Sequence, residues 1–147
     1  MKADYKVNII IESRRPLPET ATLKKAAQKT LEIEGIKGDI SLNMLFTDNK
    51  QIKELNRRYL HRNAPTDVIA FCTNNKHLTG FIGEIAISVE MAEINSRQYG
   101  NSKENELRLY VVHGILHLLG YDDESSKRRK IMEERQGRIH KEICTSL

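Results

Sequence analysis

The residues best suited to chemistry lie in one run, His113-Gly114-Ile115-Leu116-His117-Leu118-Leu119-Gly120-Tyr121-Asp122-Asp123. His113 and His117 are four positions apart, so on a helix their imidazoles share one face, one turn apart. Two neutral imidazoles at that spacing can grip one divalent ion without moving the backbone. Gly120 reads as a helix stop, because glycine accepts the left-handed conformation that ends a helix. The chain then turns back, and Asp123 can supply a third ligand. Three protein ligands leave a fourth position for water, the signature of a catalytic rather than a structural site. Histidine pairs at this spacing also arise by chance. Here they interrupt an otherwise apolar run, where unpartnered imidazoles would be costly to bury, and that favours a metal.

The elements that must position these residues follow from periodicity. Tyr5 to Glu12 alternates as a strand, with Val7, Ile9 and Ile11 on one side. Glu19 to Glu34 is helical, with Leu23, Ala27 and Leu31 in a stripe, closed by Gly35 and Gly38. Ile40, Leu42, Met44 and Phe46 mark a second strand. Thr47 or Asp48 caps the next helix, which carries Ile52, Leu55 and Tyr59 inward. Val68 to Phe71 reads as a buried strand and Asn74 to Gly80 as a polar connecting loop containing His77. Phe81 to Val89 is a further strand, in which Gly83 lets another backbone come close. A helix follows up to Gly100, and Asn101 with Glu104 resembles a capping pair opening the histidine-bearing helix. The last helix runs to about Cys144, with Met132, Gln136, Ile139 and Ile143 inward and His140 read as exposed. The order predicts an α+β fold: one domain over residues 1–147, a mixed sheet of about four strands packed with helices.

Composition sets bounds. At 147 residues, 39% hydrophobic and 30% charged, the chain is an ordinary globular sequence long enough for one core. No apolar run approaches the ~20 residues that span a bilayer, and the first residues lack a signal-peptide apolar region, so no membrane partner and a cytoplasmic location are expected. Cys72 and Cys144 form no C-x-x-C pair and read as reduced thiols. A net charge of +4 permits a polyanionic partner without requiring one. The basic run Lys127-Arg128-Arg129-Lys130 reads by itself as a solvated helix face.

The histidine segment has two resemblances. Its H-x-x-x-H-x-x-G-x-x-D pattern is similar to the zinc helix and turn of metzincin proteases, but Gly114 stands where those enzymes carry a general-base Glu, which argues against peptide hydrolysis. It more closely resembles the YbeY family of bacterial rRNA-maturation endoribonucleases, whose hallmark is H-G-x-L-H-L-x-G-Y-D-H. Only the last position differs, with Asp123 in place of His. A second stretch resembles that family's L-N-x-x-Y-R-x-x-D-x-P-T-D-V-L-S-F through Leu55, Asn56, Tyr59, Pro65, Thr66, Asp67, Val68 and Phe71. Leu60 replaces the family's Arg and Asn63 its Asp. Arg58 and Arg62, or His61, are the nearby candidates to meet RNA in that Arg's place, since a guanidinium grips phosphate bidentately.

The resemblance covers most of the chain and implies a zincin-like architecture, with the metal helix lying on the sheet and the site open at one edge. It implies a Zn²⁺-dependent, single-strand-specific endoribonuclease acting in small-subunit (16S) rRNA maturation and ribosome quality control. The implied partners are rRNA, small ribosomal subunit proteins and an rRNA-binding GTPase. The expected metal ligands are His113, His117 and Asp123; Asp122 competes for the third place, but turn spacing and the family motif favour Asp123. A carboxylate remains a valid zinc ligand and makes the ion a milder Lewis acid. It also creates a two-His-one-carboxylate set of the kind non-haem iron enzymes use, so another divalent metal is an alternative. No side chain stands out as general base, which leaves a second water or RNA's own 2′-hydroxyl. Two other functions remain open on the residues alone: a metallohydrolase for a non-RNA substrate, and a ribosome-assembly binding factor whose metal is mainly structural.

Overall fold

The computed structural model describes residues 3–73 and 78–145, so His77 and most of the polar loop expected around it lie outside the described residues. The order of elements is β1 (Tyr5–Ile11), α1 (Thr20–Ile33), β2 (Ile40–Thr47), α2 (Asn49–Leu60), β3 (Val68–Cys72), β4 (Gly80–Ser88), α3 (Val89–Tyr99), α4 (Lys103–Leu118) and α5 (Ser126–Thr145). This is the expected succession of strands and helices, and it builds an α+β fold on one mixed sheet.

The sheet order is β1-β2-β4-β3. β1, β2 and β4 run parallel, while β3 pairs antiparallel with β4 and forms an edge. Parallel neighbours need a crossover, and α1 supplies it between β1 and β2. One face carries the main core. Val7, Leu42, Met44, Phe46, Ile85 and Ile87 meet Leu23, Ala27 and Leu31 of α1 and Leu107, Val111 and Ile115 of α4 there. Every member of the Leu23–Ala27–Leu31 stripe is fully buried, as its helical period requires. The opposite face is covered only in part. α2 sets Ile52 over Leu45, Ile69 and Ala86, with Leu55 and Phe71 half-buried beside them.

Around α2 and the start of α4, three expectations change on the structure. Tyr59 does not turn inward: it is 55% exposed, because the last turn of α2 has run past the apolar cluster that buries Ile52. The cap of α4 is Ser102, whose hydroxyl accepts from the Asn105 backbone N–H at 3.0 Å, while Asn101 donates to Glu106 instead. Asp48 precedes α2 but makes no capping bond, since its carboxylate accepts from the Ser13 hydroxyl and lies 3.6 Å from Arg15. The two cysteines are free thiols, as expected. Among the described residues, no helix is long and apolar enough to cross a membrane.

α4 is the central helix, packed against β3, β4, α1, α3 and α5. Its C-terminus is closed by paired bonds from Tyr121 N–H to Leu116 O (3.0 Å) and from Gly120 N–H to His117 O (3.1 Å). That geometry needs a left-handed residue, and Gly120 takes it at φ +104°. The turn satisfies carbonyls that the helix end would leave orphaned and reverses the chain towards Asp122 and Asp123.

Candidate metal centre

Along α4 from Val111 to Leu118, His113 and His117 are the two side chains that reach solvent; Gly114 and the apolar residues between them are buried. The Nε2 atoms of the two rings face each other at 3.1 Å, with the ring planes at 74°. The outer nitrogens explain what the inner ones can do. His113 Nδ1 lies 2.5 Å from Oε1 of Gln136 on α5, an oxygen that can only accept, so this nitrogen carries the ring proton. The backbone of Tyr121 raises the proton affinity of the His117 ring. The His113 Nε2 is thereby left as a lone pair aimed at His117 Nε2, and a cation between the rings would let both nitrogens act as donors of electron pairs. Two nitrogens bound to one tetrahedral zinc at about 2.0–2.1 Å would stand about 3.3–3.4 Å apart, so a small opening of the pair accommodates the ion. The donors present therefore fit a zinc-type metal.

Electrostatics agree with that assignment. Burial, and then the neighbouring His113, lower the proton affinity of His117, against the opposing pull of Asp123, the Tyr121 backbone and Asp122. A neutral imidazole is the form that ligates metal. Asp123 is exposed in the turn after α4 and has no hydrogen bond or ion pair among the described residues. Asp122 is engaged: it accepts from the Glu124 N–H at 3.1 Å and lies 3.4 Å from Arg128 Nη1. Among the described residues, no three His, Cys, Asp or Glu side chains already stand together in ligand positions. The structure thus assembles His113 and His117, with Asp123 acting on His117 through space from the adjoining turn.

Two neighbours complete the setting. Cys72, at the end of edge strand β3, places Sγ 3.4 Å from the His117 carbonyl oxygen, so the imidazole pair sits at the sheet's open edge. Gly114 faces the sheet: a Cβ there would lie 2.6 Å from Ile85 Cγ2, so the helix is pressed onto β4 where a zinc protease carries its glutamate. Arg58 lies in the last turn of α2 and Arg62 two residues beyond it, on a helix that packs on β3 and β4. Arg58 is 3.4 Å from Glu54, whereas Arg62 has no ion pair among the described residues. Gln136 was legible as an inward residue of α5, and its polarity on an apolar stripe was the signal of a partner. Nothing in the sequence tied it to His113.

His140 is half-buried rather than exposed, because α5 turns it towards α4, with Nε2 3.1 Å from the Asn105 carbonyl oxygen. Burial lowers its proton affinity, against the pull of that carbonyl. A folded state that binds this proton less tightly than the unfolded chain is fully stable above the ordinary imidazole range, about pH 6.5, and loses stability as pH falls below it. The urea midpoint is therefore expected to drop between about pH 7 and pH 5, and His140→Gln to flatten that slope. An unchanged slope in the variant would refute this origin.

The chain matches the family model described as Endoribonuclease YbeY over residues 9–144. It is 37% identical over 141 residues to the Endoribonuclease YbeY of Fusobacterium nucleatum, covering 91% of this chain and 85% of that protein. With the same-named protein of Petrotoga mobilis it shares 36% identity over 140 residues, 94% of this chain and 96% of that one. The fold is similar to the solution structure of TM1509 from Thermotoga maritima, with a TM-score of 0.66 and 31% identity, covering 95% of this chain and 90% of the other.

Proposed function

The chain belongs to the endoribonuclease YbeY family, and from that premise we propose that it hydrolyses phosphodiester bonds of single-stranded RNA at a metal centre formed by His113, His117 and Asp123. The observation that carries the metal assignment is the facing pair of Nε2 atoms at 3.1 Å, with the His113 ring fixed at its outer nitrogen by Gln136. Zinc is the ion we favour on this donor set. When bound, it supplies Lewis acidity towards water and a phosphodiester oxygen. His113 and His117 hold their positions because α4 is buried on both flanks, so little reorganisation accompanies binding. Asp123, without a hydrogen bond or ion pair among the described residues, closes the set from the turn and adds one negative charge. Arg62, with no ion pair among the described residues, is the freer of the two arginines to hold a phosphate, and Arg58 is half engaged by Glu54. Single-stranded RNA suits an edge site because its backbone can bend into it.

The same reading extends to small-subunit (16S) rRNA maturation and ribosome quality control in the cytoplasm, with small-subunit proteins and an rRNA-binding GTPase as partners. These rest on the family resemblance. The direct test is metal content by mass spectrometry on protein purified without chelator, for the native chain and Asp123→Ala, followed by cleavage of single-stranded RNA. Near-stoichiometric zinc that falls in the variant, with chelator-sensitive cleavage, is the expected result. Iron or manganese would mean that Asp123 has altered the metal preference. No metal in either protein despite added zinc would overturn the hydrolase reading.

Gln136 gives a second, independent check. Gln136→Leu keeps the side-chain volume but removes the acceptor that fixes the His113 tautomer. Zinc affinity, read by competition with a chromophoric chelator, is expected to fall about 10- to 100-fold with the fold intact. Unchanged affinity would separate α5 from the site.

A further inference from the structure

On the face of the sheet opposite α4, a cavity of about 340 Å³ is lined by Leu45, Leu55, Tyr59, Phe71, Glu84 and Ala86. Tyr59 and Phe71 meet edge to face, with centroids 5.4 Å apart, and Tyr59 leaves much of its ring in solvent. Glu84 is the direct cross-strand neighbour of Phe71. It is half-buried, yet it makes no hydrogen bond or ion pair among the described residues. Its carboxylate is therefore solvated at the cavity mouth and open to a donor from a ligand.

We propose that this cavity is a nucleobase subsite that takes a guanine of the RNA strand, a reading that rests on the endoribonuclease function above. Three observations commit the cavity to that occupant. The first is charge. Residues 49–62 hold Lys50, Lys53, Arg57, Arg58 and Arg62 against Glu54, a formal +4 that equals the net charge of the whole chain. The cationic surplus is thus concentrated on α2, which walls the cavity, and the two residues after it, where a phosphate backbone would pass. The second is the aromatic pair. An exposed ring beside a second ring is a stacking platform for a base, and every base offers a π-face. The third is Glu84, whose two oxygens match the parallel N1–H and N2–H donors of guanine and find no such pair on uracil.

The position of the cavity suits the reaction. Phe71 and Cys72 are consecutive residues of edge strand β3, so their side chains point to opposite faces. Cys72 lies against the His117 carbonyl, and Phe71 lines the cavity. A strand rounding this edge would present a phosphate to the imidazole pair and a nearby base to Tyr59.

The test is fluorescence anisotropy with labelled 2′-O-methyl hexanucleotides, one all uridine and one carrying a single guanosine, using the full chain, Tyr59→Ala, Tyr59→Phe and Glu84→Gln. The native protein is expected to prefer the guanosine oligonucleotide about tenfold. Tyr59→Ala weakens both about tenfold, the scale of a lost base stack, and Tyr59→Phe restores them. Glu84→Gln removes the guanosine preference while leaving uridine binding intact. Native-like binding by Tyr59→Ala, or no guanosine preference in the native protein, overturns the subsite even if the protein cleaves RNA. A native protein that neither binds a hexanucleotide nor cleaves RNA overturns the parent reading as well.

Discussion

His117→Ala is expected to yield a folded protein that has lost RNA cleavage by about a hundredfold or more. His117 is half-exposed on a helix whose stability comes from Leu107, Val111, Ile115 and Leu116 on its other faces. Removing a half-exposed ring costs about 1 kcal/mol, a small part of a domain's stability. The chemistry is not so tolerant, because one of two facing nitrogens is gone and His113 alone holds a divalent ion poorly. Thermal melting, zinc content and cleavage of single-stranded RNA should be measured on the same preparation. A native-like melt without zinc or cleavage supports catalysis. A variant that unfolds would instead support an assembly factor with a structural metal. One that folds and still sustains rRNA maturation in cells would remove the case for catalysis at this site.

Gly83→Ala should have the largest effect on stability. Gly83 sits in β4 at φ +148°, a conformation that side-chain-bearing residues rarely adopt. A Cβ there would stand 2.4 Å from the Phe71 carbonyl oxygen and 2.6 Å from Leu118 Cδ2. The first contact is backbone, so relief requires β3 to move away from β4; the second pushes on the last helical residue of α4. Overpacking with added backbone strain predicts a loss of about 2–5 kcal/mol, or a fall in melting temperature of about 10 °C. Because β3 also carries Cys72 beside His117 and Phe71 beside Tyr59, metal affinity and oligonucleotide binding should fall together. A melt within two or three degrees of the native protein would show that the strand pair is more yielding than its packing implies.

What the sequence by itself determined was local. The period of Leu23, Ala27 and Leu31, the alternation of Ile40 to Phe46, the four-residue spacing of the histidines and the glycine stop at position 120 all depend on near neighbours along the chain. They are legible because side-chain direction repeats every turn or every second residue. The succession of such segments predicted the α+β architecture, and the long motif around His113 carried the family. Tertiary structure decided what depends on distant pairs. The strand order placed β3 at an edge beside α4 and brought Cys72 to a carbonyl 45 positions away. The packing of α5 on α4 delivered Gln136 to His113 across 23 positions, and so set which ring nitrogen bears the proton. The same packing turned His140 inward, and the overshoot of α2 left Tyr59 outside the core. Periodicity tells which face of a helix is apolar, but not how far the surface beneath it extends or which polar group will wait there. Those follow only once the elements have docked.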